Sequence, residues 1–103
     1  IYNVHMIRVA AVTFDSEEEK NALNKKKHGI SFEEAITIFF SAPLFVFHDP
    51  DHSADEDRFI AFGFSAANRI LAVVHCENES GNLVRIISAR RATKKEQKKL
   101  LGE

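Results

Sequence analysis

Tryptophan is missing from this chain, and tyrosine and cysteine occur once each. A lone Cys76 excludes an internal disulfide, which fits a reducing compartment, and its apolar surroundings mark it as a core residue rather than a nucleophile. No run approaches the roughly 18 to 20 apolar residues that cross a bilayer and no signal peptide is evident, so a soluble, cytoplasmic protein is expected. Positive charge is not in surplus: 14 Lys and Arg stand against 15 Asp and Glu. That balance argues against indiscriminate nucleic-acid binding. Gly-rich phosphate loops, a dinucleotide fingerprint, a Ser-His-Asp order and internal repeats are all lacking.

What remains is a chain of 103 residues, 45% hydrophobic, which suits one small domain with one core. That domain is assigned to residues 6–103. Ile1 to His5 precede Met6 and look unlike the rest, so they read as a remnant of an expression vector. With nine Phe and no Trp, much of the core is expected to be phenylalanine.

Periodicity and punctuation predict the elements. Arg8 to Phe14 reads as a strand, and Ser16 with Glu19 forms a capping box opening a first helix that Gly29 closes. Ser31 with Glu34 repeats the box. Phe32, Ala35, Ile36, Phe39 and Phe40 then follow the i, i+3, i+4, i+7, i+8 spacing of a helix with one buried stripe, ended by Pro43. Four strands are predicted next, at Leu44 to His48, Arg58 to Phe64, Arg69 to Cys76 and Leu83 to Arg90. Ser65-Ala66-Ala67-Asn68 and Ser80-Gly81-Asn82 supply tight reversals between antiparallel neighbours. Thr93 with Glu96 caps a terminal helix. The expectation is an α+β domain: an antiparallel meander with two N-terminal helices and one C-terminal helix.

Charge is unevenly spread along this plan. Lys25-Lys26-Lys27-His28 and Thr93 to Lys99 are basic, whereas Glu17-Glu18-Glu19 and the loop from Asp49 to Asp57 are acidic, so one face can still be electropositive. The lysines and His28 also suit the last turn of a helix on dipole grounds alone. Arg90 and Arg91 stand where the last strand runs into a helix cap. Guanidinium forks match phosphate oxygens, and Lys94 and Lys95 in the next turn add cations beside free helix amides, as in an anion site.

Were the phosphate-bearing ligand of such a site an RNA, its cleavage without metal would need a group to take the 2′-hydroxyl proton, cations around the phosphorus and an acid for the leaving oxygen. Arg58, Arg90 and Arg91 are the candidate cations, Glu56 and His28 the candidate proton carriers, and Lys27, Lys94 and Lys95 the candidate phosphate contacts. The bland alternatives are a loop carboxylate for Glu56 and a helix end for His28. His48, Asp49, Asp51 and His52 form no recognisable metal spacing, and His75 alternates with Leu71 and Val73 as a hydrogen-bonded core histidine would. No metal or other cofactor is expected. A helix-turn-helix pattern is absent, which leaves a DNA-binding regulator as a weaker reading.

Several of these residues also carry a resemblance: Phe14-Asp15, Lys20, Asn24, Lys27-His28-Gly29, Ser31-Phe32-Glu33-Glu34-Ala35, Asp49, Asp51-His52, Glu56, Arg58, Arg85 to Thr93, and Glu96. In this order and separation, from about Phe14 to Leu100, the chain resembles the BrnT toxins. The resemblance implies a RelE-like ribonuclease of a type II toxin–antitoxin pair that blocks translation. It also implies neutralisation by a BrnA antitoxin with a ribbon-helix-helix segment, DNA contact through that antitoxin alone, and a heterotetramer of two toxins and two antitoxins. Two positions depart from the family pattern: Phe14 stands where a Trp is usual, and Leu100 where a Tyr is usual. The second reading is therefore a catalytically degenerate homologue acting only as a protein-binding module.

Overall fold

The computed structural model describes residues 4–9, 12–52 and 56–102. The order is β1 (Val4–Val9), β2 (Val12–Glu17), α1 (Glu18–His28), α2 (Phe32–Thr37), β3 (Leu44–Asp49), β4 (Arg58–Phe64), β5 (Ile70–Glu77), β6 (Leu83–Arg91) and α3 (Lys94–Leu100). Short 3-10 turns lie at Ile38–Phe40 and Pro50–His52. All six strands join one sheet in the order β1-β2-β6-β5-β4-β3.

The α+β class stands, and β3 to β6 form the expected antiparallel meander. The sheet as a whole is mixed, which corrects the antiparallel expectation: β2 runs parallel to β6, with Asp15 beside Arg85. Alternating side chains reveal which face a strand residue takes, but strand direction is set by the long crossover that precedes the pairing. Arg8 to Phe14 is also divided rather than one strand, between β1 and β2, with residues 10 and 11 outside the described residues. Val4 and His5, set aside in the sequence, pair with Glu17 and Ser16 in that hairpin, while residues 1–3 lie outside the described residues.

The helix starts differ from expectation in an instructive way. Ser16 is buried within β2, and α1 begins behind Glu17 without a side-chain cap, so Ser16 and Glu19 are no capping box. At α2, Ser31 Oγ does accept the Glu34 N–H at 3.0 Å. The Glu34 carboxylate, however, turns away to Ser65 and Arg69, and the helix tightens into the 3-10 turn after Thr37. Among the described residues, Thr93 and Glu96 alone complete a reciprocal box. Gly29 closes α1 at φ 72°, the left-handed geometry that glycine adopts without a Cβ penalty.

Strand alternation sorts the sheet into two faces. Phe14, Val84, Ile86, Leu71, Val73 and Ala61 face Ile30, Phe32, Ala35, Ile36 and Ile38, forming the core. Only Phe14 and Phe32 of the nine phenylalanines are buried, so the phenylalanine core was an overestimate. The others are spread over partly covered ground because a single sheet has two faces and α1 and α2 cover just one. On the outer face the register sets out three rows: Asp49, Arg58, Cys76, Arg85 and Asp15; then Phe47, Ile60, Val74 and Ser88; then Phe45, Phe62, Ala72 and Arg90. The short α3 packs against this face, with Leu100 buried beside Phe45, Phe47, Ile60 and Phe62.

Candidate functional site

The C-terminal end of β6 gathers charge from elements far apart in sequence. Helix α1 lacks an apolar stripe, and its one buried residue is Asn24. The Asn24 amide donates to the Ala89 and Ile30 carbonyls at 2.8 Å each and accepts the Ala89 N–H at 3.0 Å. It thereby substitutes for a neighbouring strand where β2 has stopped pairing, and satisfies backbone groups that would be costly to bury alone. This anchor fixes the last turn of α1, with exposed Lys27 and His28, next to the strand segment that leads into Arg90.

Arg90 and Arg91 are adjacent in sequence but not paired in space. Successive strand residues point to opposite faces, so Arg90, opposite Ala72, joins the outer face, while Arg91, opposite Leu71, lies on the side of α2. There its charge helps hold the Glu34 carboxyl below the usual carboxylate range, behind the larger effect of the Arg69 hydrogen bond.

The Arg90 fork is occupied from within the chain. Nη1 and Nη2 donate to the two Glu96 oxygens at 2.8 and 3.0 Å. Glu96 also accepts the Thr93 N–H at 2.8 Å, while Thr93 Oγ accepts the Glu96 N–H. The guanidinium and these bonds bring Glu96 from its ordinary 4.5 down to about 2. The capping box thus uses first-turn amides that the sequence offered as anion donors. Arg91, Lys94 and Lys95, by contrast, are exposed and form no ion pair among the described residues. Their exposed charge, of which Arg91's is felt by Glu34, is what this end presents to an anion, and Asn24 ties the helix carrying Lys27 and His28 to the same strand.

Glu56 and Arg58 are held at the opposite end of the sheet. Glu56 accepts from Arg85 Nη1 at 2.9 Å, and Arg85 Nε is 3.5 Å from Asp15. Burial raises the Asp15 carboxyl, with Arg85 opposing the rise. Cys76 sits between Arg58 and Arg85 in register and is buried; burial first, then the Glu56 carboxylate, pushes its thiol up. Here guanidinium and carboxylate alternate. The structure therefore separates Arg90, Arg91, Lys94 and Lys95, where β6 runs into α3, from Glu56 and Arg58, which lie by the other end of β6, with Lys27 and His28 on the helix that Asn24 ties to Ala89.

The core histidine is as expected. His75 is fully buried, stacked on Phe59 and edge-on to Phe39, with Nε2 3.2 Å from Glu77. Burial pushes its imidazole below the ordinary 6.5 despite Glu77. No three-residue group of possible metal ligands occurs among the described residues; Asp55 of the acidic loop lies outside them. Sequence reasoning missed the chemistry of Arg85, Asp15 and Asn24. The signal for Arg85 was present, since a charged residue between Val84 and Ile86 must face away from the core. Asn24 carried only one hint, an uncharged polar residue in a helix otherwise rich in Lys and Glu.

Residues 14–96 match the family model described as ribonuclease toxin, BrnT, of type II toxin-antitoxin system. No curated protein matches the chain.

Proposed function

The chain belongs to the BrnT family of ribonuclease toxins of type II toxin–antitoxin systems, and from that premise we propose that RNA is held and cut at the C-terminal end of β6. The observation that supports this is the exposed positive charge of Arg91, Lys94 and Lys95, none in a salt bridge among the described residues, at the end of the strand to which Asn24 ties the helix carrying Lys27 and His28. Phosphate binding requires cations not already spent on carboxylates. Arg91 supplies a bidentate fork, and the lysines track the backbone on either side.

In this reading Arg91 stabilises the extra negative charge on phosphorus, and the His28 imidazole, which can both accept and donate through its ring nitrogens, moves the proton. Arg90 is a positioning residue: bound to Glu96, it fixes the start of α3 and hence where Lys94 and Lys95 stand. Glu56 and Arg58 form the alternative centre, with a carboxylate base beside guanidiniums on the outer face. The bond that Glu56 already makes to Arg85 disfavours this centre as the first contact for a polyanion.

The reaction needs no metal in this reading: the 2′-hydroxyl loses its proton as its oxygen bonds to phosphorus, the 5′-oxygen leaves and takes up a proton, and a guanidinium stabilises the added negative charge. The fold is taken as RelE-like, the biological outcome as arrest of translation, and the neutralising partner as a BrnA-type ribbon-helix-helix antitoxin in a heterotetramer that alone contacts DNA. Incubating the purified protein with RNA, with and without a chelator, tests the chemistry. Cleavage that survives chelator and disappears in Arg91→Ala supports the proposal. Cleavage abolished by chelator, or fully retained by Arg91→Ala, overturns it.

A further inference from the structure

The outer face holds an apolar groove that RNA chemistry does not use. Phe45, Phe47, Ile60, Phe62 and Leu100 form its walls, Glu96 and Lys99 its rim, and its volume is about 350 Å³. Phe45 and Phe47 are 44% and 54% exposed on β3, the outermost strand of the sheet. Edge strands are commonly protected by lysine, proline or a covering element. Leu44-Phe45-Val46-Phe47-His48 has neither lysine nor proline, and Val46 is exposed as well.

The charge around this groove points to its occupant. Helix α3 carries Lys94, Lys95, Lys98 and Lys99 against a single acid, Glu96, whose two oxygens are committed to Arg90. The helix that walls the apolar groove is therefore a basic ridge, and it runs back to Arg91 and the proposed RNA end. A protein partner for this groove combines apolar anchors with carboxylates, which disfavours a second copy of this basic helix, and an RNA stacking its bases on Phe45 and Phe47 is told apart by a loss of cleavage in Phe47→Asp.

We propose that the Phe45–Phe47 groove and the lysines of α3 together dock an acidic amphipathic segment of the antitoxin. Two apolar side chains enter the groove while carboxylates meet Lys95, Lys98 and Lys99, and the segment continues toward Arg91 to cover the RNA end. This rests on the toxin reading for the identity of the partner, but not on which residues cut RNA. The anchors are aromatic and central, and the lysines set orientation and encounter rate.

The test measures binding of the purified antitoxin to wild type, Phe47→Asp and Lys99→Glu, together with RNA cleavage and the elution volume of each toxin alone. Phe47 is half exposed, so a melting curve matching wild type is expected for Phe47→Asp; Lys99→Glu, on the exposed rim, serves if that variant unfolds. The expected result is a loss of antitoxin affinity of about tenfold or more in each folded variant. Phe47→Asp should also keep wild-type cleavage that the antitoxin no longer suppresses. Wild-type affinity in both variants overturns the proposal. So does an antitoxin that fails to bind wild type, or a wild-type dimer that Phe47→Asp dissociates, which would assign the groove to a second copy. If antitoxin binding falls as expected but wild type cuts no RNA, the docking surface stands and the ribonuclease reading fails.

Discussion

The two ends of β6 hold similar residues under opposite electrostatic conditions. At the N-terminal end Arg85 lies between Asp15 and Glu56, with Arg58 close by, and guanidinium and carboxylate answer one another. At the C-terminal end Arg90 is matched by Glu96, but Arg91, Lys94 and Lys95 have no such partner among the described residues. A chain with a net charge of −1 can still present a cationic surface, because attraction for a polyanion depends on local uncompensated charge within a screening length of about 10 Å.

The strongest way to break this contrast is to exchange its functional consequences. Arg91→Ala is expected to reduce RNA cleavage about a hundredfold or more, the scale of losing one preorganised charge stabiliser, with an unchanged melting temperature. If Glu56→Gln instead abolishes cleavage in a folded protein, the catalytic centre belongs at the other end.

A change in scaffold should have the opposite signature. Asn24→Ala removes three hydrogen bonds to buried backbone and should cost about 2–3 kcal/mol in chemical denaturation, since the Ala89 groups are left unpaired. An Asn24→Ala protein as stable as wild type would show that α1 docks by other means.

Acid sharpens the same comparison. The Glu96 carboxyl lies below its unfolded value of 4.5, at about 2, so its contribution is full above 4.5 and is lost as pH falls from 4.5 through about 2. Half-exposed Arg90 limits that contribution to about 1–2 kcal/mol. Glu96→Gln should flatten this part of the stability profile, and an unchanged profile would refute the assignment. His75 acts higher up: kept neutral by burial, it makes the fold lose stability as pH falls below its unfolded value of 6.5, and His75→Gln should weaken that slope.

The smallest effect is expected where charges are balanced in solvent. Arg85 and Glu56 are each 48% exposed, so breaking their bond with Glu56→Gln should cost less than about 1 kcal/mol and change cleavage little.

Local pattern made much of this molecule legible. Arg58 to Phe64 was read to the residue, Gly29 as a helix end, and Thr93 with Glu96 as a cap, because each depends on side chains a few positions apart. Ser16 failed by the same rule: the Ser-x-x-Glu spacing is present, but the parallel partner β6 holds Ser16 in the sheet. The candidate residues were recognisable as types, and their grouping was not. Asn24 and Ala89 are 65 positions apart, and Glu34 and Arg69 are 35 apart.

By itself, the sequence determined the α+β class, the antiparallel run from β3 to β6, the family and the basic character of the segment from Arg90 to Lys99. Tertiary structure alone decided that β2 lies parallel to β6, that Arg90 and Arg91 face opposite ways, that Glu56 pairs with Arg85 away from Arg90, and that most phenylalanines remain outside the core. Short-range periodicity records which face a side chain takes, whereas partner, direction and charge balance arise only when distant segments compete for the same edge and the same cation.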